Sequence, residues 1–321
     1  MTIYHKVGFL LGMRRVSPFH LVVAHKFLLT MIHNTQPDAL PSSLPDVAPS
    51  PISNALPTIL ALDFDGVLCD GMIEYFQTAW RAYCRIWPLA DHTPPDHLAP
   101  AFCRARPVVE TGWEMPLVLR SLLLGTPEAD ILQNWGAIAK QLVVSEQLNP
   151  ADLSAAVDST RDEWIAAKPE DWLAQHRFYP GVIERLSHLL SSSPNPDLYT
   201  VIISTKEARF IHQLLHQHGV EIPDAQVIGK EIRQPKAETL RQLTQHFSPA
   251  AAASPTIWFV EDRFKTLQAI QVQPGLANVQ LFLADWGYNT APERAAADRD
   301  AQIHLISLEQ FSQDFYTWLT P

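Results

Sequence analysis

The sequence is poor in cysteine. Its 321 residues include only Cys69, Cys84 and Cys103, and no two of them form a CxxC pair. Three cysteines, a small and odd number, are typical of free thiols in a reducing compartment. This number argues against a disulfide framework or a zinc site. We therefore expect a cytoplasmic protein.

Basic residues are also in deficit. There are 24 Lys and Arg against 34 Asp and Glu, which gives a net charge of −10. This balance argues against a general nucleic-acid or anionic-membrane binder, because such proteins derive much of their affinity from Lys and Arg. A locally positive pocket is still compatible with it. Hydrophobic residues make up 47% of the chain, which allows a sizeable core and excludes global disorder.

Long uninterrupted hydrophobic runs are missing too. Residues 7–32 are rich in apolar residues, but two arginines, two histidines and a lysine interrupt them, so no stretch reaches the roughly 18 residues of a membrane span. Three interpretations of this segment remain open. It could be a targeting segment, an extension upstream of a real start at Met13 or Met31, or a helix on a membrane surface. Residues 35–57 are rich in Pro and Ser and predict a linker. Residues 1–56 are thus predicted to be a poorly ordered or targeting-like extension.

Beyond the linker, short apolar runs alternate with amphipathic stretches. This alternation predicts an α/β fold with a Rossmann-like parallel sheet and helices on both faces. In such a sheet the ligand lies at the carboxyl ends of the strands. The strand candidates are residues 58–63, 199–204, 225–229, 256–261, 279–283 and 303–306.

The first two strand candidates are separated by about 130 residues, far more than one crossover helix needs. Residues 73–87, 113–124, 127–146 and 151–173 show helical spacing of apolar residues. We therefore predict an all-helical domain at 71–177, inserted between the two parts of the α/β core at 57–70 and 178–321. Its six tryptophans are expected to be packing residues.

The first strand ends in a pair of carboxylates. Residues 60–66 read LALDFDG, so Asp63 and Asp65 follow an apolar run and Gly66 frees the backbone after them. Buried carboxylates need a positive partner. Mg²⁺ can be that partner, because it takes oxygen ligands. Such a pair can combine a metal site with one carboxylate that attacks and another that moves protons. Taken alone, a solvated acidic turn is an equal alternative.

Three later segments complete a pattern. IIST ends at Thr205, PK ends at Lys236, and VED ends at Asp262. In this order, DFDG and these segments resemble the four motifs of the haloacid dehalogenase superfamily, over roughly residues 57–310. The helical insertion resembles the cap of that superfamily. The segments VEDR, DWGYNT and ER also resemble a branch found in photosynthetic organisms, which implies no substrate.

The resemblance implies roles for individual residues. Asp63 would be the nucleophile that becomes an aspartyl phosphate, and Asp65 would be the general acid/base. Ser204 would bind the phosphoryl oxygens, although Thr205 could serve instead; strand register favours Ser204. Lys236 would neutralise the phosphate. The residues implied for Mg²⁺ are Asp63, Asp65 and Asp262, with Glu261 in the outer shell.

The second aspartate indicates the reaction class. Dehalogenases of the superfamily lack a carboxylate there, so Asp65 favours a Mg²⁺-dependent phosphatase that acts on a small phosphorylated metabolite. The sequence departs from the pattern of the superfamily's phosphatases at two positions. Val67 replaces a common Thr, and Thr266 replaces a second, distal carboxylate. A phosphomutase and a non-catalytic binding or assembly protein stay as alternatives.

One loop of the helical insertion is a candidate for substrate choice. Residues 104–114 read RARPVVETGWE. Arg106, Glu110, Trp113 or Glu114 could face the active site, whereas the alternative is a loop that only connects helices. The sequence does not fix the oligomeric state.

Overall fold

The computed structural model describes residues 56–191, 198–248 and 254–319. Residues 1–55, which form nearly all of the predicted extension and linker, lie outside the described residues. No helix in the described ranges has the length and apolar character needed to cross a membrane.

The chain forms an α/β fold, which confirms the predicted class. The strands are β1 (Ile59–Leu62), β2 (Cys69–Asp70), β3 (Arg177–Phe178), β4 (Tyr199–Ile203), β5 (Val227–Ile228), β6 (Ile257–Glu261), β7 (Val279–Ala284) and β8 (Ile303–Ile306). The helices are α1 (Met72–Ile86), α2 (Leu98–Ala105), α3 (Glu114–Leu123), α4 (Glu128–Ser145), α5 (Pro150–Ala167), α6 (Pro169–Leu173), α7 (Val182–Leu190), α8 (Ala208–Gln217), α9 (Lys236–His246), α10 (Phe264–Gln271), α11 (Ala291–Ala297) and α12 (Leu308–Phe311).

Six strands form one parallel sheet in the order β5-β4-β1-β6-β7-β8. Each corresponds to one of the predicted strands, with small differences at the ends. Leu62 of β1 pairs with Ile202 of β4 on one side and Val260 of β6 on the other. The three strands therefore end at the same edge of the sheet, and the residues that follow them converge there.

Both faces of the sheet are covered, because alternate residues of each strand point to opposite sides. Leu60 and Leu62 belong to a buried cluster that includes residues of α7 and α8. Ile59 and Ala61 belong to a second cluster, which includes residues of α9 and α10. Strands buried on both faces read as continuous apolar runs, as the sequence has them here.

Helices α1 to α6 follow one another between β2 and β3. Most of their apolar residues form a buried cluster of their own, which includes Trp80 and Trp135. Trp164 and Trp172 instead join the cluster on one face of the sheet. The antiparallel pair of β2 and β3 brings the two ends of this segment together, and the sequence did not predict it. Strands of two residues are too short to show a periodicity.

A buried ion pair connects two of these helices. The Glu74 side chain on α1 is 1% exposed, and its Oε1 lies 2.7 Å from Nε of Arg161 on α5. Thr78 and Trp172 also donate hydrogen bonds to Glu74 Oε1. Burial alone would raise the pKa of Glu74, but Arg161 outweighs it and lowers the pKa to about 2. The carboxylate is thus fully compensated by its partners.

We expect Arg161→Met to lower the free energy of unfolding by about 3–5 kcal/mol, because it leaves Glu74 charged and buried without its partner. The matched control is Arg85→Met. Arg85 pairs with Glu163, but their side chains are 44% and 63% exposed, so its loss should cost less than about 1 kcal/mol. Urea unfolding of both variants measures the difference, and equal losses would contradict the assignment.

Candidate active site

The turn after β1 places Asp63 and Asp65. The Asp63 amide donates to the Val260 carbonyl at 2.9 Å and so continues the pairing of β1 with β6. The Phe64 amide donates to Asp63 Oδ1 at 2.7 Å. Gly66 has φ of +88°, and a Cβ there would clash with the Asp262 carboxylate. Glycine is therefore required for both the backbone conformation and the close approach of Asp262.

Lys236, the first residue of α9, holds two carboxylates. Its Nζ lies 2.9 Å from Asp63 Oδ1 and 2.7 Å from Glu261 Oε2. The other oxygen of Glu261 accepts the amides of Asp262 at 3.1 Å and Arg263 at 3.0 Å. Both oxygens of Glu261 are thus engaged with donors of the chain, and Glu261 anchors Lys236 in place.

The loop after β7 holds Asp262. The Tyr288 amide donates to Asp262 Oδ2 at 2.8 Å, and the Asn289 side chain donates to the Asp262 carbonyl at 3.0 Å. A Cβ on Gly287 would clash with the Asp262 side chain, so this loop too approaches closely through a glycine. One oxygen of each of Asp63, Glu261 and Asp262 can be chosen so that all three lie within 4.8 Å of one another.

The cluster contains more negative charge than Lys236 balances. Burial raises the pKa of Asp63 to about 7, even though the Lys236 charge lowers it. Burial also raises the pKa of Glu261 and of Asp262. For Lys236, burial lowers the pKa, but Asp63 and Glu261 outweigh it and leave the pKa above its ordinary value. Three buried carboxylates therefore share the Lys236 ammonium group, and the Arg263 charge, which lowers the pKa of Asp262, does not outweigh the effect of burial there.

Asp65 lies beside a second lysine, which the sequence analysis missed. Lys206 Nζ is 3.3 Å from Asp65 Oδ2, and the Lys206 side chain is only 8% exposed. The same Nζ is 3.1 Å from Nε2 of His176, whose Nδ1 faces backbone carbonyls. Burial and the Lys206 charge lower the pKa of His176 to about 4, so the neutral ring accepts from the ammonium. The other oxygen of Asp65, Oδ1, is buried and has no hydrogen-bond partner within residues 56–191, 198–248 and 254–319.

The two candidate phosphate-binding hydroxyls have different environments. Ser204 is buried, and its Oγ accepts the Lys206 amide at 3.1 Å. Thr205 is exposed and lines two cavities that meet at Asp65 and Tyr75. The structure thus brings both residues to the end of β4, with Thr205 on the cavity surface.

The larger of these cavities is the candidate active-site cleft. Its volume is about 560 Å³, and Asp63, Asp65, Lys236, Glu261 and Asp262 all line it. The smaller cavity, of about 170 Å³, lies against Lys206 and Arg161.

Two of the four candidates for substrate choice reach the larger cavity. Arg106 and Glu110 line it, and Trp113 and Glu114 do not. Glu114 is buried instead, and it accepts hydrogen bonds from the Glu110 and Thr111 amides and from the Trp135 ring. It therefore serves to shape this loop.

The raised pKa of Asp63 makes the stability of the metal-free protein depend on pH. Folded Asp63 keeps its proton up to about pH 7, whereas the unfolded chain loses it near pH 4, so the free energy of unfolding falls as pH rises between these values. In EDTA at pH 8, Asp63→Asn should therefore be more stable than wild type by about 1–3 kcal/mol. The difference should shrink at pH 5. Asp96→Asn, at an exposed position, is the control; a destabilised Asp63→Asn protein at pH 8 would contradict the charge assignment.

No family model matches the chain, and no curated protein matches it. Among solved structures, it is similar to a haloacid dehalogenase-like family hydrolase from Streptococcus pneumoniae at 17% identity, covering 78% of this chain and 93% of that one, with a TM-score of 0.46. A predicted phosphatase from Clostridium acetobutylicum matches at 14% identity, with 80% and 97% covered and a TM-score of 0.46. A predicted phosphoglycolate phosphatase from Haemophilus somnus matches at 16%, with 72% and 87% covered and a TM-score of 0.44. Similarities this distant assign no activity, so the geometry of the site must carry that assignment.

Proposed function

We propose that the protein is a Mg²⁺-dependent phosphatase that hydrolyses a small phosphorylated metabolite through an aspartyl phosphate on Asp63. The observation that carries the proposal is the position of the Asp63 carboxylate at the end of β1, where Oδ1 is 2.9 Å from the Lys236 ammonium and one oxygen lies within 4.8 Å of an oxygen of Asp262. Asp65 supplies a second carboxylate two residues further on and lines the same cleft.

Asp63 is arranged as a nucleophile. Lys236 and the Phe64 amide both contact Oδ1, which leaves Oδ2 for attack on phosphorus. A carboxylate and a phosphate dianion repel each other, and a fixed ammonium group beside them offsets this repulsion. The bond from Oδ2 to phosphorus forms as the bond from phosphorus to the leaving oxygen breaks.

Asp65 is arranged to move the protons. In the first step it gives a proton to the leaving oxygen, and in the second it takes one from the water that attacks the aspartyl phosphate. This attack releases inorganic phosphate and restores the Asp63 carboxylate. Lys206 holds Asp65 Oδ2, and Oδ1 is buried and has no hydrogen-bond partner among the described residues.

The donor set fits a magnesium ion. The side chains of Asp63 and Asp262 and the backbone carbonyl of Asp65 would hold it, because Mg²⁺ takes oxygen ligands and the cluster has an excess of buried negative charge. Glu261 would stay in the outer shell, since both of its oxygens have donors from the chain. When bound, the ion supplies positive charge that screens the phosphoryl oxygens.

The Ser204 and Thr205 hydroxyls and Lys236 are the proposed ligands of the phosphoryl group. Thr205 follows the end of β4 and Lys236 begins α9, and both line the cleft, whereas Ser204 is buried next to Thr205. Burial of the site strengthens the electrostatic attraction between the Lys236 ammonium and the phosphoryl group.

The proposal predicts Mg²⁺-dependent release of inorganic phosphate from p-nitrophenyl phosphate and from at least one member of a panel of small phosphomonoesters. EDTA should abolish the activity and Mg²⁺ restore it. Asp63→Asn should lower kcat by at least about 10³-fold, because it removes the nucleophile, and Asp96→Asn should leave it unchanged. Wild-type protein without activity, or an isomeric phosphate ester formed in place of free phosphate, would contradict hydrolysis.

A second prediction concerns Asp65 and Lys206. Protonation of the leaving oxygen matters for an alkyl phosphate and much less for p-nitrophenyl phosphate, whose leaving group is stable as an anion. Asp65→Asn should lower kcat for the alkyl ester by about 10²–10⁴-fold. Lys206→Met should lower it by about 10–100-fold, because Asp65 loses the charged contact at its Oδ2. Both losses should be smaller with p-nitrophenyl phosphate.

Steady-state kinetics with both esters provide the measurement. Lys140→Met, at an exposed position of α4, is the matched control and should alter neither rate. Equal losses with both esters would show that Lys206 does not act through Asp65.

A further inference from the structure

Arg106 lies in the loop between α2 and α3 and is flanked by two aromatic rings. Its guanidinium carbon is 4.7 Å from the centre of the Tyr75 ring and 5.1 Å from the centre of the Tyr288 ring. Nη1 donates to the Val109 carbonyl at 3.3 Å. Nε is buried and has no hydrogen-bond partner in the part of the chain that the structure describes. The guanidinium group is thus held in position while part of its donor set is unused.

The other cationic groups that line the larger cavity have partners. Lys236 contacts Asp63 and Glu261. Lys265 pairs with Glu110. Arg263 donates to the carbonyls of Pro107 and Tyr288.

Arg106 differs from Lys236 and Lys265, which pair with carboxylates, and from Arg263, because the buried Nε of Arg106 has no hydrogen-bond partner within the described ranges. No carboxylate within the described ranges lies within 4.0 Å of its guanidinium group. A partly buried cation without a counter-charge is costly, so the site is arranged for an anion that the chain does not provide.

The position of Arg106 relates it to the reaction. It lines the same cavity of about 560 Å³ as Asp63, Asp65 and Asp262. The Tyr288 ring is fixed, because its hydroxyl donates to Asp70 Oδ1 at 3.0 Å and accepts the Gly71 amide at 2.7 Å. The Tyr288 amide also holds Asp262. Tyr288 therefore contacts Arg106 through its ring and the proposed metal ligand Asp262 through its amide.

We propose that Arg106 binds a second anionic group, a carboxylate or another phosphate, on the organic part of the substrate. The inference rests on the proposed function and narrows its substrate class to phosphomonoesters that carry additional negative charge. The planar guanidinium group can donate two parallel hydrogen bonds to either kind of anion. A neutral alcohol in the same place would leave Arg106 uncompensated.

A matched series of substrates tests the proposal. It consists of the phosphomonoesters of ω-hydroxy acids with two to four carbons, those of the corresponding diols, and the bisphosphates of the same diols. We expect kcat/KM for the acids or the bisphosphates to exceed that for the diol monoesters by at least about 10-fold. The two charged sets distinguish a carboxylate from a second phosphate as the preferred group.

Variants of Arg106 provide the second comparison. Arg106→Met should lower kcat/KM for the preferred charged esters by about 10–100-fold, and for the diol esters by much less. Arg106→Lys should recover part of the preference, because it keeps the charge but loses the planar donor pair. Arg104→Met is the control, because Arg104 is exposed and pairs with Glu128 outside the cleft; it should alter neither class. Equal losses for charged and diol esters would overturn the proposal.

Binding separates this proposal from the proposed function. Asp63→Asn protein, with and without Arg106→Met, is titrated with the same esters by calorimetry. If no ester is hydrolysed by wild type but the charged esters bind more tightly only when Arg106 is present, hydrolysis fails and the role of Arg106 stands. If esters are hydrolysed but neither rate nor binding distinguishes charged from neutral ones, the role of Arg106 fails and hydrolysis stands.

Discussion

The contact of Lys236 with Asp63 and Glu261 is the interaction on which the rest of the site depends. Without this ammonium group, three buried carboxylates with oxygens within 4.8 Å of one another would lose the cation that contacts two of them. With it, the cluster is still short of positive charge, and burial keeps the pKa of Asp63 near 7. The proposed divalent cation would supply the missing positive charge, and a phosphate would then bind against this cation and Lys236. The same electrostatic imbalance therefore explains the proposed metal and the proposed reaction.

The geometry of the sheet makes this concentration of charge possible. Parallel strands β1 and β6 end side by side, so Asp63 and Glu261 meet although they are distant in the chain. Glycines at 66 and 287 let neighbouring loops approach Asp262 closely. Tyr288 and Asn289 then hold the side chain and backbone of Asp262. The supporting loop is as much a part of the site as the residues that carry charge.

The sequence predicted the parallel sheet and the convergence of its strand ends, because buried strands and helices differ in their apolar period. It also singled out Asp63 and Lys236, which lie at predicted element ends. It missed Lys206 and His176, whose contact joins residues thirty positions apart in a pattern with no local signature. It missed the β2–β3 pair for a similar reason, since two-residue strands carry no period. For Glu114 the sequence showed a charge but not its partners, which are two amides of its own loop and the Trp135 ring on α4.

The most direct test of the central claim is to identify the group that carries the phosphoryl intermediate. Wild-type protein would be mixed with p-nitrophenyl phosphate and Mg²⁺, quenched in acid within one turnover, digested with pepsin and examined by tandem mass spectrometry. The account predicts one phosphoryl group on the peptide that contains Asp63, assigned by fragmentation to Asp63, and none in Asp63→Asn protein. A phosphoryl group on another residue, or turnover without any phosphorylated peptide, would contradict it.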